Sequence, residues 1–107
     1  MAVRLPGQGS SQLTSGPQPS GMDALGYEIL AEKAAALGRS GEKAERCLRR
    51  LAEEEGGGAA REALLSEAAN AVYEWFVQRE SCGLRRHEEV IRDHAIPRQV
   101  LARLGAK

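Results

Sequence analysis

The sequence predicts an all-α protein, a small four- to five-helix bundle with a disordered N-terminal arm, on three observations. The first is the stretch Ala59 to Cys82, whose apolar residues fall at 64, 65, 68, 71, 72, 75 and 76. They make one wide stripe at helical spacing, uninterrupted by Pro or Gly. The second is punctuation: Gly38, the run Gly56-Gly57-Gly58 and Gly83 cut the chain into segments of helical length. The third is the composition of residues 1–21, rich in Gly, Ser, Pro and Gln, with Arg4 as the one charge. Such a segment buries too little apolar surface to offset its ordering entropy. Residues 1–21 are therefore expected to be the arm, with Val3–Leu5 as its one candidate docking motif, and residues 22–107 a single helical domain.

The first helix is expected from about Met22 to Leu37, with Asp23 at the positive end of its dipole. Leu25, Ile29, Leu30, Ala34 and Leu37 would form its buried stripe. Gly38-Arg39-Ser40 then looks like a stop and a restart, with Gly at C′ and Ser40 capping the second helix. That helix, about Gly41 to Glu54, carries Ala44, Cys47, Leu48 and Leu51 on one face. Its other face pairs Glu42 with Arg46 and Glu45 with Arg49 in the favourable i,i+4 order. The Arg46, Arg49 and Arg50 cluster reads as a solvated face, because acids are interleaved with it.

Three consecutive glycines cannot stay helical cheaply, so the chain should reverse at Gly56–Gly58 and set neighbouring helices antiparallel. The central helix follows, with the only Trp and the only Phe of the chain, Trp75 and Phe76. Gly83 suits the C′ position, with Leu84 packing back on the last turn. A fourth helix is expected from about Leu84 to His94. A fifth should start with Pro97 in its first position, carry Val100, Leu101 and Leu104, and end at Gly105.

Net charge is zero, 15 basic against 15 acidic residues, so no global field favours nucleic acid or an anionic membrane. Residues 84–107 lean basic, with six cations against three acids, and residues 22–38 lean acidic, with three acids against Lys33. No run reaches the 18 apolar residues of a membrane span, and the N-terminus lacks the apolar core of a signal peptide. Cys47 and Cys82 form no CxxC spacing and sit on apolar helix faces. A reducing cytoplasm is the expected setting.

Candidate chemistry is sparse. His87 and His94 lie two helical turns apart, about 10 Å at 1.5 Å per residue, too far to share one ion. No HExxH occurs, so no metal is expected. Cys82 at a helix C-terminus has its thiolate disfavoured by the dipole. No phosphate-binding glycine loop is present, so no cofactor is expected either. No catalytic residue can be named, and the expectation is that the chain is not an enzyme.

Two binding readings remain. Val90 to Leu104 has the outline of a helix-turn-helix, in which Arg98, Gln99 and Arg103 would face DNA bases and phosphates. Ala95 stands where the turn usually has glycine, Ile91 is bulky for a close helix approach, and the local basic charge is small. A helical hairpin completing the core is the stronger reading of this unit. The width of the central stripe favours instead an interaction or structural module, a homodimer or a binder of another protein, with Tyr73, Trp75 and Phe76 as its candidate surface.

The run Phe76–His87 with Ile96–Gly105 fits the pattern FVQRE-x-CGLR-x-H followed by IP-x-x-VL-x-RLG. In this it resembles a set of short, uncharacterised proteobacterial proteins, and the likeness extends to Ala24–Gly41. The resemblance implies a bacterial origin and an all-helical fold, and carries no activity or functional residue with it.

If Trp75 is core, Trp75→Ala should cost about 3–5 kcal/mol, enough to unfold a domain this small. Chemical denaturation reads this directly; a variant as stable as the parent would place the core elsewhere.

Overall fold

The computed structural model describes residues 21–105, and side chains from Asp23 onward. The expected arm lies outside the described residues apart from Gly21. The described residues contain four helices and no strand: α1 Gly21–Glu53, α2 Gly58–Ser81, α3 Glu88–Asp93 and α4 Arg98–Leu101. The protein is all-α. Contacts divide the chain into two units, Met1–Ala31 and Glu32–Lys107.

In the first unit, the described part of α1 presents large apolar side chains to solvent. Leu25 is 51% exposed, Tyr27 69%, Ile29 51% and Leu30 63%. The expected burial of Leu25, Ile29 and Leu30 is not met, and Ala34, just beyond this unit, is exposed as well. Periodicity shows which residues share a face, but it cannot say whether anything covers that face.

In the second unit, the stop and restart expected at Gly38 is absent, and two expected helices are one. Gly38 keeps a negative φ, so it does not take the left-handed C′ conformation that ends helices. Ser40 does not cap a new helix; its hydroxyl donates back to the Leu37 carbonyl at 3.0 Å. Gly41 explains why the helix runs on. A Cβ placed there would stand 3.0 Å from Trp75 Nε1 and 3.3 Å from its Cε2. The glycine lets the α1 backbone lie against the indole, and this packing offsets the roughly 1 kcal/mol that each helical glycine costs.

α1 ends where expected, at the acidic run. The Glu54 carboxylate accepts from the Gly56 N–H at 2.7 Å, while Gly57 and Gly58 take φ of 70° and 63°. Only glycine adopts two successive left-handed positions without strain. The chain then returns antiparallel to the second-unit part of α1. Lys33 Nζ donates to the Ser81 carbonyl, Lys43 pairs with Glu74 and Arg50 with Glu67, so contacts rise along one helix as they fall along the other. These pairs are more than half exposed and add little stability themselves.

α2 supplies most of the core, with Leu65, Ala68, Ala69, Ala71, Val72, Trp75 and Phe76 buried. Of the expected stripe, Leu64 is half-buried, and Ala69 joins the set. Ala44, Cys47 and Leu51 of α1 and Ile96 and Val100 of the C-terminal segment complete it. The end of α2 closes as predicted. The Leu84 N–H donates to Arg79 O at 2.9 Å and the Gly83 N–H to Glu80 O at 3.0 Å, with Gly83 at φ 89°. This is a Schellman motif. Leu84 itself remains 45% exposed.

The last two helices are shorter than predicted. The expected helix from Leu84 begins only at Glu88, and in the link before it the Arg86 carbonyl accepts from Arg79 Nη2 at 2.7 Å. Pro97, expected in the first helical position, sits instead at the N-cap, with ψ 149°, and the helix starts one residue later at Arg98.

Two glycines three residues apart should respond oppositely to the same change. Gly38→Ala meets nothing within 4 Å and is expected to stabilise by about 1 kcal/mol through helix propensity. Gly41→Ala drives a methyl into the buried indole and is expected to destabilise by about 1 kcal/mol or more. Urea denaturation of both variants checks the pair; equal stabilisation would mean that Trp75 does not rest on the α1 backbone.

Candidate functional site

Trp75 and Phe76, two of the three residues expected to form an interaction surface, are each 7% exposed. Tyr73 and Val77, one turn apart on α2, are 47% exposed. With Ser40, Glu74 and Gln78 they line a shallow, mainly apolar groove of about 380 Å³ between α1 and α2. The stripe is wide because α2 is covered from several sides within the second unit. The tilted Trp75–Phe76 pair has centroids 6.1 Å apart, and His94 meets Trp75 edge-on at 5.0 Å.

A second concavity, open and about 560 Å³, lies between α1, the start of α2 and the turn after α3. Leu48, Leu51, Ala52 and Pro97 form its apolar part, and Glu45, Arg49, Arg61 and His94 its polar part. His94 Nδ1 faces Glu45 Oε2 at 3.4 Å. Arg61 Nη2 donates outside the concavity, to Gln99 Oε1 at 3.1 Å. Among the described residues no three His, Cys, Asp or Glu side chains could hold one metal ion. Cys47 and Cys82 are free thiols. The Cys82 thiol points at the Lys33 carbonyl at 3.9 Å.

The residues expected to face DNA are placed as follows. Arg98 is exposed. Gln99 holds Arg61, and Arg103 Nη2 donates to Glu62 Oε1 at 2.8 Å, so two of the three are bonded to α2. α4, in the place of a recognition helix, is a single turn of four residues. The turn before it is a second Schellman motif, with the Ile96 N–H donating to Ile91 O at 3.0 Å and the Ala95 N–H to Arg92 O at 3.1 Å. Ala95 takes φ 50°, the left-handed conformation that glycine normally fills.

The densest side-chain cluster was not foreseen. His87 stacks on Phe76, with ring centroids 4.1 Å apart and planes within 6°. Arg79 Nε donates to its Nδ1 at 3.0 Å, and Nε2 lies 3.0 Å from Glu80 Oε2. Beside it, Arg86 reaches Glu88 at 3.7 Å. The Glu88 carboxyl is held below its ordinary pKa, first by its own backbone N–H and then by the Arg86 charge, against an opposing desolvation. Whatever stability Glu88 lends is thus present above the ordinary glutamate range and lost as pH falls through the lowered value.

Residues 11–107 match a family of unknown function, DUF6665. The chain belongs to the DUF6665 family. No curated protein and no solved structure matches it. An uncharacterised family is what the sequence pattern led one to expect. In this DUF6665 chain the pattern has a physical account. Phe76, Arg79, Glu80, Gly83 and His87 close the end of α2 and its link to α3. Ile96 and Val100 enter the core, and Gly105, at φ 76°, gives Tyr73 room that a Cβ 3.3 Å from its ring would take.

Because Ala95 is strained where glycine would not be, Ala95→Gly is expected to raise stability by about 1 kcal/mol. Thermal unfolding should show a higher midpoint; a lower one would mean that the turn does not hold the left-handed geometry.

Proposed function

We propose that this chain is a non-enzymatic interaction module that works through helix faces and pairs with a second copy of itself. The observation that carries the reading is the exposure of Leu25, Ile29 and Leu30 on one side of α1, with Tyr27 open on the other. Large apolar side chains gathered on one stretch of helix make a patch that isolated proteins rarely leave open. The sequence of α1 supports a helical partner: Leu25 and Ile29 lie four residues apart on one face, the spacing by which a helix meets another helix. A twofold pairing of identical helices is the commonest way for a small chain to cover such a face. The groove at Tyr73 and Val77 offers a second, smaller contact for a partner side chain. A bacterial cytoplasm fits the two free thiols and the family pattern.

The test is light scattering coupled to size exclusion, from low to high salt. The parent is expected to run as a dimer whose mass does not depend on salt, since apolar burial is not screened. The double variant Ile29→Glu with Leu30→Glu should be monomeric with an unchanged helical spectrum. A parent that is monomeric at all concentrations would sink self-pairing. Association with duplex DNA that falls steeply with salt would replace this reading with nucleic-acid binding.

A further inference from the structure

The charge state of His87 follows from its donors alone. Arginine can only donate, so the Nδ1 that receives the Arg79 Nε–H must carry no proton. The ring proton therefore sits on Nε2 and is donated to the Glu80 carboxylate. His87 is thereby held as one neutral tautomer, largely enclosed and flat against Phe76.

We infer that His87 is an acid-operated latch on the link between α2 and α3. The charged groups around it are Arg79 and Glu80 from α2, Arg86 from the link and Glu88 from α3, while Lys33 of α1 binds the Ser81 carbonyl at the same end of α2. When acid adds a proton to Nδ1, two N–H donors and two positive charges face each other across 3.0 Å, and the Arg79 contact breaks. The proton comes from water, and no bond other than the new N–H is formed. Glu80 holds the imidazolium by an ion pair, so the ring stays on Phe76 while Arg79 swings away. Arg79 also carries the Arg86 carbonyl, so its departure removes the side-chain tether in the middle of the link. The Leu84 N–H stays on the Arg79 carbonyl and the His87 carbonyl on the Ile91 N–H, so the ends of the link hold while Arg85 and Arg86 loosen. Acid thus loosens the middle of the link without removing the core beneath it. The site is separate from the α1 stripe and does not depend on the self-pairing reading.

Long-range proton–nitrogen NMR on the full chain tests the latch directly. At alkaline pH the expected pattern is an unprotonated Nδ1 and a protonated Nε2 for His87, with the Arg79 Nε–H protected from solvent exchange. As the pH is lowered and Nδ1 of His87 gains its proton, the protection of the Arg79 Nε–H, measured against free arginine exchanging at the same pH, should fall about tenfold or more, as expected for losing a hydrogen bond to a charged donor. In His87→Gln this pH step in Arg79 protection should disappear while the helical spectrum is kept. A protonated Nδ1 at alkaline pH, or Arg79 protection that stays constant while Nδ1 gains its proton, would overturn the proposal.

Discussion

The second unit depends on the Trp75 indole lying against the α1 backbone at Gly41. A side chain at position 41 would occupy the space that the indole fills. From this contact follow the continuity of α1 through two glycines, the antiparallel return of α2, and the seat that His94 takes edge-on against the ring. The glycines are unfavourable for an isolated helix, and tertiary packing decides the matter, as it does for most helices in folded chains.

The C-terminal third behaves as a clasp on this pair. It has no long helix of its own, and it buries few side chains, Val100 from α4 and Ile96 from the turn before it. What positions them is a set of polar and stacking contacts to α2: His87 on Phe76, Arg79 to the link, Arg61 to Gln99 and Arg103 to Glu62. Both of the clasp's turns are Schellman motifs, one built on Gly83 and one on Ala95. Residues of the runs Phe76–His87 and Ile96–Gly105 are therefore the ones that fasten this segment. A pattern of that sort is a statement about folding, and it names no substrate.

The same contacts explain why the helix-turn-helix outline is incomplete. Apolar spacing at 96, 101 and 104 is shared by any helical hairpin that finishes a core. Which way Arg98, Gln99 and Arg103 point depends on whether hydrogen-bond partners, a donor for Gln99 and an acceptor for an arginine, lie within reach on another helix. Glu62 and Arg61 lie four turns before Trp75 on α2, and nothing in residues 90–104 announces them. The His87 cluster was hidden for a related reason. Its members are seven to eleven positions apart, across a helix end, where no fixed periodicity relates them.

The sequence by itself determined the all-helical class, both ends of α2 within about a residue, the reversal at the glycine run and most of the buried face of the central helix. These are local properties: a 3.6-residue period, a left-handed glycine and an unbroken apolar stripe act within a few residues of where they are read. The tertiary structure alone decided three things. It decided that Gly38 and Gly41 lie inside a helix, that the apolar residues between Leu25 and Leu30 are open, and that the His87 ring is stacked on Phe76 between Arg79 and Glu80. Each turns on what stands opposite a residue. A glycine is a break or a seat, and an apolar face a core or a surface, according to a neighbour that the residue's own stretch of sequence does not contain.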